Sequence, residues 1–118
     1  MNNGRIRFEC STPILRVASM AASLHFYVDL LGFDNAPWGN EDFTCVSRDR
    51  AALYLCQGGQ GRGAAWAWIG VEDATALHEQ YKSLGVKILN APTNYPWALE
   101  FQIEDPDGNV LRIGSDPQ

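Results

Sequence analysis

Apolar residues recur along the chain at two spacings, every second residue or every third to fourth, and the switches between them divide the sequence into elements. Thr12–Val17 reads as a short strand with Leu15 and Val17 on one face, and Ser19 follows as a helix N-cap. Met20, Leu24, Val28 and Leu31 make one helical stripe, which Gly32 ends as a residue free to turn left-handed. Phe33–Trp38 reads as an edge strand broken by Pro37. Phe43–Leu55 is then a hairpin. After Gly58–Gly63 the pattern restarts with a strand over Ala64–Val71, an N-cap at Asp73, and a helical stripe of Leu77, Tyr81 and Leu84 closed by Gly85. Lys87–Asn90 is a candidate strand and Ala91–Pro96 a loop. A second hairpin, Phe101–Ile113, turns at Asp105-Pro106-Asp107-Gly108-Asn109.

The order strand, helix, three strands thus occurs twice. A displacement of fifty-eight residues places Asp42 on Glu100, Phe43 on Phe101, Asp49 on Asp107, Leu53 on Leu111, Leu55 on Ile113 and Tyr54 on Arg112. In the helices Leu24-His25 matches Leu77-His78, and Leu31-Gly32 matches Leu84-Gly85. One such unit cannot bury both faces of its sheet. The expected fold is α+β, with two tandem βαβββ modules (about 10–57 and 64–115, linker 58–63) forming a curved, cup-shaped mixed sheet with helices on its outer face. The first helix is apolar almost all round, with Ala21, Ala22, Phe26 and Leu30 off the stripe, whereas the second carries His78, Glu79, Gln80 and Lys82. Either the first helix meets another surface or it is more deeply buried in the monomer.

Composition narrows the function. The chain has 118 residues, 46% of them apolar, which suits a single globular domain. Its net charge of −5 argues against nucleic-acid binding, because phosphates would be repelled, and suits a cationic small molecule. No run has the apolar length of a membrane span or a signal peptide, so a cytoplasmic location is the default expectation. Cys10, Cys45 and Cys56 are odd in number and widely spaced, which points to reduced, structural cysteines.

The helix ending Phe26-Tyr27-Val28-Asp29-Leu30-Leu31-Gly32-Phe33, the final Asp105–Asn109 turn and the βαβββ repeat together resemble the vicinal oxygen chelate superfamily of glyoxalase I, extradiol dioxygenases and bleomycin-resistance proteins. The resemblance runs from about Thr12 to Ile113. It implies a cup whose enzymes hold a divalent metal with inward side chains from two strands of each repeat. Strand alternation sets Leu15, Val17, Leu53, Leu55, Leu111 and Ile113 against the helices, and Ala67, Ile69 and Val71 likewise. The four ligand positions implied by the resemblance then fall on Thr12, Tyr54, Trp66 and Arg112. None offers the carboxylate, imidazole or thiolate that such ions need, and Arg112 brings a fixed positive charge. His25 and His78 lie on helices outside the cup and are expected to face solvent. Asp105 and Asp107 are accounted for as turn residues capping backbone N–H groups. Neither a metal, a cofactor nor a catalytic set is therefore expected.

Within the superfamily three segments are similar to the bleomycin-resistance proteins: Asn40-Glu41-Asp42-Phe43 with Val46 and Arg48-Asp49; Ala65-Trp66-Ala67-Trp68-Ile69; and Pro96-Trp97 with Glu100-Phe101 and Asp105-Pro106. The resemblance implies a homodimer that exchanges N-terminal strands about Pro13. It also implies a ligand cleft between chains, lined by Trp38, Phe43, Trp66 and Trp97, with Tyr54 and Arg112 on the cup floor. Aromatic walls suit a flat ligand and negative potential its cationic end. Each stack contributes about 0.5–1.5 kcal/mol beyond burial, against roughly 8 kcal/mol for a micromolar complex. Apolar burial, hydrogen bonds and charge must supply the rest. Trp68 suits core and pocket equally, and Glu41 and Asp42 suit a solvated turn. Four departures count against bleomycin itself: a Gly-rich linker, a short Lys87–Tyr95 segment, Ala98 after Trp97 where the resistance proteins usually have Gly, and Arg16 and Arg112 if both face the cup. The leading expectation is non-catalytic sequestration of a flat aromatic cation. The alternatives are a lyase, isomerase or dioxygenase-like enzyme of the same superfamily, and a ligand-sensing module.

Overall fold

A computed structural model describes residues 4–118; Met1–Asn3, part of the stretch read for a signal peptide, lie outside them. Strand β1 (Ile14–Arg16) leads to helix α1 (Met20–Leu24), which continues as a wider π-helical stretch over His25–Leu30. Strands β2 (Asp34–Asn35), β3 (Phe43–Arg48) and β4 (Ala51–Cys56) complete the first module. The second comprises β5 (Trp66–Gly70), helix α2 (Ala74–Ser83), β6 (Ile88–Asn94), β7 (Leu99–Glu104) and β8 (Val110–Ser115). Each is a βαβββ unit, and the eight strands divide into two four-stranded mixed sheets, ordered β1-β4-β3-β2 and β5-β8-β7-β6. Among the described residues no helix is long and apolar enough to cross a membrane.

The local signals act where their chemistry requires. Ser19 accepts the Ala22 N–H and Asp73 the Ala76 N–H, each capping a helix start. Gly32 has φ +81, which allows the Phe33 N–H to reach back to the Tyr27 carbonyl and close the first helix. Between the caps the α-helical spacing fails. The Leu31 N–H bonds the Phe26 carbonyl, five residues back, so the extra residue turns the stripe. Phe26 and Tyr27 are buried, whereas Leu24 and Val28 are only partly so. The off-stripe apolar residue Phe26 is thus core of the monomer.

Other expectations are corrected. The edge strand shrinks from Phe33–Trp38 to two residues, Asp34–Asn35, because Pro37 has no N–H to continue the ladder. The segment read as a loop over Ala91–Pro96 is strand as far as Asn94, with register shifts on either side of Asn90 that accommodate Pro92. Leu84, just past the end of α2, is half exposed, while His78 is buried edge-on against Phe101 at 5.4 Å rather than facing solvent. The buried stripe of α2 is Ala74, His78 and Tyr81, one residue on from the expected Leu77.

Register also corrects the repeat. Leu53 and Leu55 do correspond to Leu111 and Ile113, all buried. In the preceding strands, however, the buried pair Thr44 and Val46 corresponds to Phe101 and Ile103, fifty-seven residues on. The Asp105–Asn109 turn holds five residues where its counterpart, Arg48–Ala51, holds four. A one-residue shift flips a strand's faces. Phe43 is therefore the counterpart of Glu100, and Phe101 belongs to the core.

Both modules contribute to one hydrophobic core, in which Leu15, Val46, Leu53 and Leu55 join Phe101, Ile103, Leu111 and Ile113 around Tyr27, Leu31 and Tyr81. Polar groups lock the halves together. The Tyr27 hydroxyl donates to Asp105 Oδ2 at 2.8 Å, the Ala18 N–H to Asp107 Oδ1 at 2.9 Å, and Asn109 Nδ2 to the Arg16 carbonyl at 3.4 Å. In the other direction, the Tyr81 hydroxyl donates at 3.0 Å to the Leu31 carbonyl, which Arg48 Nη1 of the first module also reaches at 2.8 Å. Burial, and then the Asp105 charge, push the Tyr27 phenol far above its ordinary pKa, so it remains a donor. Tyr27→Phe removes a hydrogen bond to a buried carboxylate and is expected to cost about 1.5–3 kcal/mol. Urea unfolding should show a lower midpoint at unchanged slope.

Candidate functional site

The face of each sheet turned away from the helices carries the expected site residues, in two groups. In the first module, register places Phe43, Cys45, Tyr54 and Cys56 on one face with Ile14 and Arg16. Phe43 and Tyr54 meet at 5.0 Å between ring centroids, and Trp38 lies over both, at 6.3 Å from Phe43 and 6.4 Å from Tyr54. Trp38 is 60% exposed, and Phe43 and Tyr54 are half-buried beneath it. Asn40 sets the approach of β3 by accepting the Asp42 and Phe43 N–H groups, and Glu41 and Asp42 project into solvent. Thr12 is half-buried, Pro13 is exposed, and the Pro13 carbonyl accepts the Tyr54 N–H. Burial raises the Cys45 thiol pKa, which keeps it protonated at neutral pH.

In the second module Trp66, Trp68, Glu100, Gln102 and Arg112 share the corresponding face. Trp66 is 62% exposed. Arg112 does not stand free: its Nε and Nη2 both reach Glu100 Oε1 at 2.8 Å. The other Glu100 oxygen accepts the Trp68 Nε1–H at 2.9 Å. Trp97 projects from the tight turn before β7, 61% exposed, and stacks on Tyr95 at 4.8 Å with an interplanar angle of 6°. Trp68 and Trp97 line a pocket of about 410 Å3 together with Gly70, Glu72, Gly114 and Asp116. Among the described residues no ring contact joins this group to the Trp38 trio.

Trp68, open between core and pocket on sequence alone, is 56% exposed and belongs to the pocket. Glu100 was legible only as an acid in a motif; its role shows when register brings it beside Trp68 and Arg112. Arg16 is exposed and reaches the Gly61 carbonyl of the linker. His25 pairs with Asp29 on the exposed helix surface. Among the described residues no group of three or more His, Cys, Asp and Glu side chains is arranged to hold a metal ion.

Residues 9–113 match the profile of the Glyoxalase/Bleomycin resistance protein/Dioxygenase superfamily, and the chain belongs to that family. It is similar to the bleomycin-binding protein from bleomycin-producing Streptomyces verticillus, solved with copper(II)-bleomycin, at 26% identity and TM-score 0.79, over 94% of this chain and 98% of that one. The fold is shared with TnmS3, an antibiotic-binding protein from Streptomyces sp. CB03234 (22% identity, TM-score 0.80, 95% and 99% coverage). It is shared equally with a lactoylglutathione lyase from Agrobacterium tumefaciens (15%, 0.76, 92% and 95%). No curated protein sequence matches significantly.

Burial alone would raise the Glu100 carboxyl pKa, but hydrogen bonds from Trp68 and Arg112, together with the Arg112 charge, hold it below the usual range. An unfolded Glu titrates near about 4.3. The pairing therefore stabilises the fold above that value and is lost as pH falls through the lower folded-state value. Urea unfolding between about pH 5 and pH 3 should show a steeper loss of stability for the parent protein than for Glu100→Gln. Equal slopes would mean that folding leaves the Glu100 pKa where the unfolded chain has it.

Proposed function

We propose that the protein is a non-catalytic binder that sequesters a flat aromatic, cationic small molecule of the bleomycin type. The observation that carries this reading is that all four tryptophans are more than half exposed, Trp66 and Trp68 on the sheet face opposite the core and Trp38 and Trp97 on turns beside the strands. Exposed indoles gathered in this way mark a surface meant to be covered. Trp38, Phe43 and Tyr54 supply one aromatic wall; on the second sheet Trp66 stands level with Val110 and Trp97 beyond the Leu99–Ser115 pair at the other end, with Arg112 neutralised between them by Glu100. The likeness to a bleomycin-binding protein supports the ligand class. Thr12, Tyr54, Trp66 and Arg112 offer no donor set for a divalent ion, which favours binding over the metal-assisted chemistry of the lyase reading.

The proposed cleft forms between two copies of the chain. The two aromatic groups sit on separate sheets, and the segment before Pro13 carries Ile6 and Phe8 at 83% and 94% exposure with no cover in one chain. Their alternation with Arg5, Arg7 and Glu9 suits a strand that pairs with a partner, about Pro13 as the hinge.

Metal-free bleomycin is expected to quench tryptophan emission with micromolar or tighter affinity, and Trp38→Ala or Trp97→Ala should weaken it at least tenfold. Light scattering should give twice the chain mass. A monomer, or stoichiometric zinc, nickel, manganese or iron in protein purified without chelators, would overturn this reading.

A further inference from the structure

Trp68 is held unlike a solvated surface indole. Its ring lies over Gly70 and Gly114, which face each other across β5 and β8. A Cβ at Gly70 would come within 2.9 Å of Trp68 Cζ3, and one at Gly114 within 3.1 Å of Cζ2. A side chain at Gly70 would displace the ring, and one at Gly114 would press on the ring and on the Glu100 side chain alike. The indole N–H is fixed by Glu100, itself 2% exposed, whose other oxygen is taken by Arg112. Burying a carboxylate costs free energy that its partners must offset, yet the ring it orients stays more than half in solvent. Little core burial is gained by that arrangement. Its evident product is a rigid aromatic surface in a fixed orientation.

The surface opens on the pocket that Trp97 closes from the other side, and about 410 Å3 is within the range of small-molecule sites. Arg112 alone would repel a cation here, but Glu100 matches its charge. Neither of that pair lines the pocket itself, where the charged side chains are Glu72 and Asp116, both exposed carboxylates. We infer that Trp68 is a ligand-stacking platform, positioned by Glu100 over the Gly70–Gly114 shelf, and that this pocket takes the planar cationic part of the ligand with Glu72 and Asp116 facing its charge. The inference rests on the sequestration reading and adds to it a binding residue, Trp68, and a positioning residue, Glu100.

Two probes test it: metal-free bleomycin, and thioflavin T as a planar benzothiazolium cation, with its uncharged 2-(4-aminophenyl)benzothiazole relative as control. Trp68→Ala and Gly70→Ala are each expected to weaken the cationic probes at least tenfold, and Trp68→Phe to recover most of the loss. Gly70→Ala keeps every polar group, so an unchanged melting temperature separates lost binding from lost folding. Glu100→Gln leaves Arg112 uncompensated and should weaken thioflavin T several-fold more than the uncharged relative. Parent-like binding by both Trp68→Ala and Gly70→Ala would overturn this inference alone. A parent protein that binds neither cationic probe would overturn the sequestration reading together with it.

Discussion

The structure depends on one carboxylate. Asp105 Oδ1 accepts the N–H groups of Asp107 and Asn109, which shapes the last turn, while Oδ2 accepts the Tyr27 hydroxyl and the Asn109 amide. Four donors converge on a side chain only 5% exposed. An ionised group can remain so deeply buried only when its lone pairs are satisfied. One of the four comes from the other module, so the turn reaches its final shape only when the modules are docked. Asn109 extends the clamp by accepting the Ala65 N–H at the start of β5.

The reciprocal contact uses the matching tyrosine. Tyr27 of the first helix reaches the hairpin turn of the second module, and Tyr81 of the second helix meets Arg48, at the hairpin turn of the first. The duplicated elements therefore hold each other rather than themselves. The two turns differ chemically: Asp105 gathers donors, whereas Arg48 donates to the carbonyl that ends the first helix. Burial raises the Tyr81 phenol pKa and the Arg48 charge opposes that shift. The same docking fixes β4 and β8, whose cup-facing residues Tyr54 and Arg112 begin the two halves of the candidate site.

The fold was legible because its signals are local. Caps at Ser19 and Asp73, terminal glycines at Gly32 and Gly85, and alternation along β4 and β8 each act within a few residues. What escaped was governed by single-residue insertions or by distant partners. The π turn after Leu24 moved burial onto Tyr27, and no periodic rule anticipates a wider turn. One extra residue in the Asp105–Asn109 turn put Phe43 opposite Glu100 rather than Phe101. His78 reads as solvent-exposed because it lies on a helix outside the cup, but its ring packs on Phe101 at the core face of β7. Of the candidate site, the aromatic residues could be read from alternation and resemblance. Glu100 could not, because its meaning lies in Trp68, thirty-two residues before it, and Arg112, twelve residues after.

That pairing resolves the main physical objection to a cationic ligand. Two arginines on inward strand positions would place positive charge where the proposed ligand carries its own. Arg16 instead turns to the linker carbonyl of Gly61, and Arg112 is spent on a buried carboxylate whose remaining oxygen orients an indole. A bound charge close to its counter-charge leaves mostly a dipole, and a dipole's field falls off faster than that of a lone charge. The face that sequence alone made cationic is therefore close to neutral at the floor and acidic at the rim, consistent with the net charge of −5. What remains to discriminate between ligands on that face is planarity, which exposed and oriented indoles recognise.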